Sequence, residues 1–411
     1  MKGAADTRPA FRGLKERQPE AVFGSWKTPC YILDEEQLAY NGKILASVAE
    51  RTGCRILLAQ KAFSNYDCYP LLSGWLSGTE ASGLFEARLG AEEMPEGEVH
   101  IFSAAYREDE FPEILRYADH IVFNSPEQLR RFGPEAVTHG RSIGLRINPE
   151  CSTQEGHEIY DPCAAGSRLG TTRAEWEKQM TPELTGMLDG LHFHTLCEQD
   201  SDALEITWEA VEKKFGDILP QLKWLNLGGG HHITRDGYDI PRLERLLIRI
   251  RDTWKLQTYL EPGEAVALNA GYLASRVLDV VENNGICIAV LDTSAACHMP
   301  DVIEMPYMPP VYGAEAVTGK EEAEGNLYRL AGPTCLAGDV IGDYRFPHKL
   351  SPGDLLLFGD MAIYTTCKNN TFNGMGLPDL WKYTRDGKGI RLTDFGYEDF
   401  KMRLGTRKSN R

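Results

Sequence analysis

Eight short apolar runs, at 56–60, 79–82, 99–103, 120–124, 143–147, 190–194, 224–227 and 258–261, alternate with longer amphipathic stretches. Runs this short suit buried strands, while the stretches between them, such as 84–90, 126–132, 174–180, 203–215 and 242–254, carry helical spacing. Strand–helix alternation builds parallel βα units, and eight is the number that closes a (β/α)8 barrel. The runs finish in Lys61, Ser82, Asn124, Arg146, His194, the triplet Gly228, Gly229 and Gly230, and Glu261. C-terminal strand ends surround the active site of such barrels, so ionisable and glycine-rich endings are what a catalytic mouth requires.

From about 271 the texture changes: 272–281, 286–292, 327–330 and 354–358 read as strands, separated by Gly- and Pro-rich connections at 305–313 and 351–353. With 30–33 as a further strand, the expected division is a polar tail at 1–26, an α/β barrel over 36–270, and a mostly β domain from 27–35 plus 271–411. Apolar residues make up 42% and charged residues 25%, ordinary for a globular protein. A net charge of −16 disfavours nucleic acid or an anionic membrane as partner. No run approaches the roughly 18 apolar residues of a membrane span, and the N-terminus has no secretory h-region. The ten cysteines show no CxxC pair and no zinc spacing, so reduced thiols, a cytoplasmic location and no metal site are expected.

Each strand-end group has a chemical reading and an ordinary one. At an apolar strand end the Lys61 ammonium is partly desolvated, which favours the neutral amine that forms imines; a lysine snorkelling into solvent gives the same pattern. Gly228, Gly229 and Gly230 follow the seventh run, where glycine lets backbone N–H groups converge on a phosphate; a tight βα turn is the plain alternative. Glu261 ends the eighth run, placed either to keep a pyridine nitrogen protonated or simply ahead of a Pro-Gly turn. His192 and His194 alternate onto one face, where His194 would stack on a ring or serve as a core histidine. In the second domain Cys335 and Asp339 lie four apart on a Gly-rich loop. They offer a thiol to protonate a carbanion and a carboxylate for an ammonium, or a structural cysteine in a turn.

These segments, in this order from 28 to about 383, resemble the fold type III pyridoxal-phosphate enzymes, the alanine racemase-like and ornithine/diaminopimelate decarboxylase superfamily. Within it, Leu57-Leu-Ala-Gln-Lys-Ala-Phe63, Leu225-Asn-Leu-Gly-Gly-Gly-His-His232, Cys335-Leu-Ala-Gly-Asp-Val-Ile-Gly-Asp-Tyr344 and Thr371-Phe-Asn-Gly-Met375 look most like the carboxynorspermidine (carboxyspermidine) decarboxylases. The resemblance implies pyridoxal 5'-phosphate as cofactor, with Lys61 bonded to it, His194 stacked on its ring, Gly228 to Gly230 and Tyr364 at its phosphate, and Glu261 at its pyridine nitrogen. It implies a homodimer with shared active sites, to which Cys335 and Asp339 are contributed across the interface. Cys335 would reprotonate Cα, with Lys61 as the fallback donor; Asp339, then Glu198, would read the ammonium groups of a polyamine-type substrate. The implied reaction is α-decarboxylation in polyamine biosynthesis, giving norspermidine or spermidine and CO2.

Two positions depart from the wider superfamily. Glu264 stands where ornithine and diaminopimelate decarboxylases carry an arginine after Pro-Gly, leaving phosphate neutralisation to backbone N–H groups, Tyr364 or another cation. Leu336 stands where diaminopimelate decarboxylases carry a glutamate, which points away from diaminopimelate. The competing expectations are a decarboxylase of ornithine, arginine, lysine or diaminopimelate, a non-catalytic cofactor-binding regulatory protein, and a racemase.

Overall fold

A computed structural model describes residues 19–154, 160–318 and 325–405. It divides into two compact units, Ala39–Val266 and Met1–Leu38 with Ala267–Arg411. The division falls at 38/39 and 266/267, where the sequence places limits at 36 and 270.

Strand β1 (Cys30–Asp34) belongs to the sheet unit. The next eight strands are β2 (Arg55–Ala59), β3 (Gly78–Ala81), β4 (Glu98–Phe102), β5 (His120–Phe123), β6 (Ser142–Arg146), β7 (Gly190–His192), β8 (Trp224–Asn226) and β9 (Gln257–Leu260). All pair in parallel and in chain order, and β9 returns to β2 to close the barrel. Leu57, Val122, Trp224 and Tyr259 fill its interior, with Phe102 packed against them. The Trp224 indole dictates small neighbours: a Cβ on Gly190 would lie 2.0 Å from its ring, so the adjacent strand opens with glycine.

The helices follow from their sequences. In Ile240–Trp254, Leu243, Leu246, Leu247 and Ile250 are buried, the i, i+3, i+4, i+7 stripe of one face. The Asp239 side chain caps the first turn by accepting from the Arg242 N–H, and Lys255 in the left-handed region ends the helix. Ser125 caps Pro126–Thr138 in the same way, accepting from the Gln128 N–H.

The second unit holds β1, β10 (Gly271–Asn283), β11 (Ile286–Leu291), β12 (Glu315–Ala316), β13 (Asn326–Ala331), β14 (Val340–Phe346), β15 (Leu355–Gly359), β16 (Asp379–Tyr383) and β17 (Gly389–Thr393). They form one nine-stranded sheet in the order β12-β14-β13-β11-β10-β1-β16-β17, with β15 on β10. Alternate residues of β1 enter different clusters: Tyr31 packs with Leu273, Leu291 and Phe358, whereas Cys30 and Ile32 pack with Phe23, Tyr272 and Tyr383. Both faces are covered, which explains why the run is apolar throughout.

One expectation needs correction, and one strand was not expected. The polar tail does not reach residue 26: Pro19–Phe23 is helical and Phe23 is fully buried, while 1–18 lie outside the described residues. Strand β14 also escapes a pattern search, because Gly342, Asp343 and Arg345 interrupt its apolar residues; Asp343 is held across the ladder by Arg329 at 2.8 Å.

Candidate active site

The barrel strands stop one or two residues short of the polar endings, so Lys61, Ser82, His194 and Glu261 stand just past β2, β3, β7 and β9, and Arg146 is the last residue of β6. Together they line a cavity of about 540 Å³ at the C-terminal end of the barrel. Its far wall is formed by residues 160–169, including Tyr160, Asp161 and Arg168.

Glu261 is the most tightly organised group. His192 Nε2 lies 3.0 Å from its Oε2, and Asn226 donates to Oε1 at 2.5 Å. Burial pushes this carboxyl up, but His192, His100 and Lys61 outweigh it and hold it well below the usual range, so Glu261 is ionised. A buried carboxylate with spare lone pairs suits a protonated ring nitrogen. Asn226 also accepts the Gly228 N–H at 2.9 Å, which ties the glycine turn to the same network.

The turn itself requires glycine. Gly228 and Gly230 have φ of +72° and +83°, and a Cβ on Gly229 would meet the Glu261 carbonyl oxygen at 2.2 Å. The Gly229 N–H donates to His194 Nδ1 at 2.8 Å. That bond leaves the imidazole proton on Nε2. Burial, then the charges of Lys61 and Arg146, keep His194 neutral by holding its pKa well below 6.5. The Gly-lined turn, the neutral ring of His194 and the ionised Glu261 together fit the phosphate, face and nitrogen of a pyridoxal phosphate.

Lys61 is exposed in the cavity of this unit rather than desolvated as its strand end suggests. Glu80, which the sequence reading passed over, faces the same space. Its Oε2 is buried without a hydrogen-bond partner, and burial plus the charge of Glu261 push the carboxyl far up. A glutamate inside an otherwise buried strand is the signal that would have found it. Arg146 completes the group: Nη2 donates to the His194 carbonyl at 3.2 Å and the guanidinium lies 4.4 Å from the Phe102 ring centroid. Burial lowers it only to about 10, so it stays cationic. It brings a positive charge to the cavity, whereas Glu264 is not among the lining residues and lies 2.8 Å from His232 Nε2.

The remaining expected residues lie elsewhere. Asp339 is buried in the sheet unit, where its carboxylate accepts from Ser294 Oγ at 2.9 Å, Thr334 Oγ1 at 2.6 Å and the Ala296 N–H at 3.2 Å. These bonds tie its loop to the 294–296 segment and engage both carboxylate oxygens. Glu198 has a left-handed backbone (φ 51°) and is not part of the cavity lining. Cys335 is exposed on its loop, and Tyr364 is half-buried with φ 50°.

One ligand-type cluster runs against the expectation of no metal site. Glu98, His100 and His120 meet at the opposite end of the barrel. Arg55 already pairs with Glu98, His100 Nε2 is 3.2 Å from it, and the two imidazoles stack 3.9 Å apart at 12°. Parallel rings do not aim their lone pairs at a common point, so this geometry is a packed plug.

Residues 30–362 match the family described as pyridoxal-dependent decarboxylase, C-terminal sheet domain. A carboxynorspermidine/carboxyspermidine decarboxylase of Campylobacter jejuni is 42% identical, over 92% of this chain and 98% of its own. A carboxyaminopropylagmatine decarboxylase of Synechocystis is 41% identical, over 93% and 96%. The crystal structure of a carboxynorspermidine decarboxylase from Campylobacter jejuni complexed with norspermidine aligns with a TM-score of 0.84 at 40% identity, covering 92% of this chain and 100% of that one. A diaminopimelate decarboxylase from Helicobacter pylori complexed with L-lysine shares the fold, with a TM-score of 0.79 at 17% identity over 94% and 99% of the two chains.

Proposed function

The chain belongs to the pyridoxal-dependent decarboxylases, and from that membership we propose that it decarboxylates carboxynorspermidine or carboxyspermidine to norspermidine or spermidine. The observation that carries the reading is the meeting of Lys61, His194 and Glu261 around one cavity, in a chain so similar end to end to a decarboxylase of that name.

Pyridoxal phosphate supplies the electron sink for the bond between Cα and its carboxylate. Lys61 Nζ would hold the cofactor and His194 its face, while the turn of Gly228, Gly229 and Gly230 would let the phosphate approach the backbone, the Gly228 and Gly229 N–H groups being already given to Asn226 and His194. Glu261 would keep a proton on the ring nitrogen, with His192 and Asn226 bonded to its two oxygens. Phe102, parallel to His192 within 17° and beneath Arg146, shields this network from water. Cys335 is the proposed donor of the proton to Cα, reaching the cavity from a second copy of the chain, and Tyr364 is proposed to reach the phosphate. We place this homodimer in the cytosol, a reading that the ten free cysteines support. Mixing Lys61→Ala with Cys335→Ala protein tests the shared site: mixed dimers regain CO2 release if one chain completes the other's cavity, and stay inactive if each chain works alone.

The Synechocystis relative favours a second substrate, carboxyaminopropylagmatine, which ends in a guanidinium instead of an amine. Comparing kcat/KM for the two carboxylated triamines, carboxyaminopropylagmatine and ornithine separates the readings. Preference for a triamine is expected; preference for the agmatine derivative or for ornithine overturns the proposal.

A further inference from the structure

We propose that Asp161 binds a distal ammonium of the substrate, which makes residues 160–169 the wall that selects polyamine-type chains. The inference rests on the decarboxylase reading above, because it assigns the amine-bearing arm to one side of the same cavity.

Among the described residues, three carboxylates line that cavity: Glu80, Asp161 and Glu261. Glu261 is committed to His192 and Asn226 at the barrel end. Glu80 is fully enclosed within β3, beside Glu261, and burial favours its neutral form. Asp161 differs from both. It sits partly exposed on the wall, with Oδ1 fixed by the Cys163 N–H at 2.8 Å, leaving Oδ2 for a ligand. The wall is pinned to the barrel by two asparagines. Asn124 Nδ2 donates to the Arg168 carbonyl at 2.8 Å and Asn124 Oδ1 accepts from the Gly170 N–H at 2.7 Å, while Asn148 Nδ2 donates to the Leu169 carbonyl at 3.3 Å.

The substrate class places an α-amino acid at one end and ammonium groups several methylenes away. Lys61, Arg146 and Arg168, the cations of the cavity, repel an ammonium and attract the carboxylate end. Asp339, the carboxylate that sequence reasoning favours for this task, has its oxygens engaged inside the sheet unit. Among the described residues, Asp161 is the partly exposed carboxylate that remains in the cavity.

The test is calorimetric titration of norspermidine and spermidine into the cofactor-loaded wild type, Asp161→Asn and Asp161→Glu. Loss of one charge-assisted hydrogen bond weakens binding by about 10- to 100-fold in Asp161→Asn, and Asp161→Glu recovers most of it. KM for the carboxylated triamine rises in parallel while kcat and the cofactor's visible absorbance change little. An α-amino acid of the same length with an alkyl end in place of the amines binds wild type and Asp161→Asn alike. Wild-type affinity in Asp161→Asn, or an equal loss for the alkyl analogue, overturns the assignment. Absence of CO2 release by a wild type that binds norspermidine through Asp161 would sink the reaction and leave the binding site standing.

Discussion

The two ends of the barrel are built from the same residue types and do opposite things. At the N-terminal end, Arg55, Glu98, His100, His120 and Tyr259 pack against Trp224, whose Nε1 donates to Ser142 Oγ at 2.9 Å. Ionic groups there are paired and wedged between aromatic rings; the Nδ1 atoms of His100 and His120 lack partners, yet neither residue lines the cavity. At the C-terminal end, a comparable set of His192, His194, Glu80, Glu261, Arg146 and Lys61 is organised around open space. Histidines and carboxylates do not by themselves mark a site. What marks it is hydrogen-bonding and charge capacity left over where a ligand can enter.

This contrast is open to direct attack. The largest expected effect is at Lys61: Lys61→Ala abolishes CO2 release, and borohydride reduction followed by peptide mapping labels Lys61 in wild type only. Activity surviving in Lys61→Ala would break the comparison at its centre. Next come the two paired glutamates. Glu261→Gln lowers kcat by about 10- to 100-fold, the worth of a charge-assisted hydrogen bond. Glu98→Gln leaves kcat unchanged and reduces stability in urea by about 1 kcal/mol, since Arg55 stays largely hydrated.

Glycine substitutions probe the same difference more gently. Gly229→Ala and Gly190→Ala each force a Cβ into contact, against the Glu261 carbonyl and the Trp224 ring respectively. Each costs about 1–3 kcal/mol of stability. Only Gly229→Ala weakens cofactor binding, measured by equilibrium absorbance titration. The smallest effect concerns pH. Burial lowers His231, beside the glycine turn, to about 4 and His120, at the plugged end, to about 3. Both are neutral in the folded protein, while the unfolded chain takes up a proton near 6.5. Stability is therefore full above 6.5 and falls as pH drops toward the folded values, by about 1 kcal/mol per unit for each group. His231→Gln and His120→Gln should each flatten urea stability between pH 7.5 and 5.5 by about 1 kcal/mol. A flattening at one end alone would show that burial differs more between the ends than packing implies.

Much of this is legible without coordinates. Strand-and-helix alternation determined the barrel, because backbone hydrogen bonding leaves few ways to bury short apolar runs joined by amphipathic helices. It also determined which residues stand at the mouth, since position along a strand sets the end at which a side chain emerges: Lys61, His194 and Glu261, all at strand ends in the sequence, line the cavity. Tertiary structure decided everything that depends on saturation. Whether a carboxylate is free or spent is settled by partners remote in the chain, as with His192 and Glu261, 69 residues apart, or Ser294 and Asp339, 45 apart. Asp161 and Asp339 are alike as letters. One is held on a cavity wall by an N–H two residues away and the other is engaged by Thr334 of its own loop together with Ser294 and Ala296 from a remote segment, and only folding in three dimensions brings in those donors.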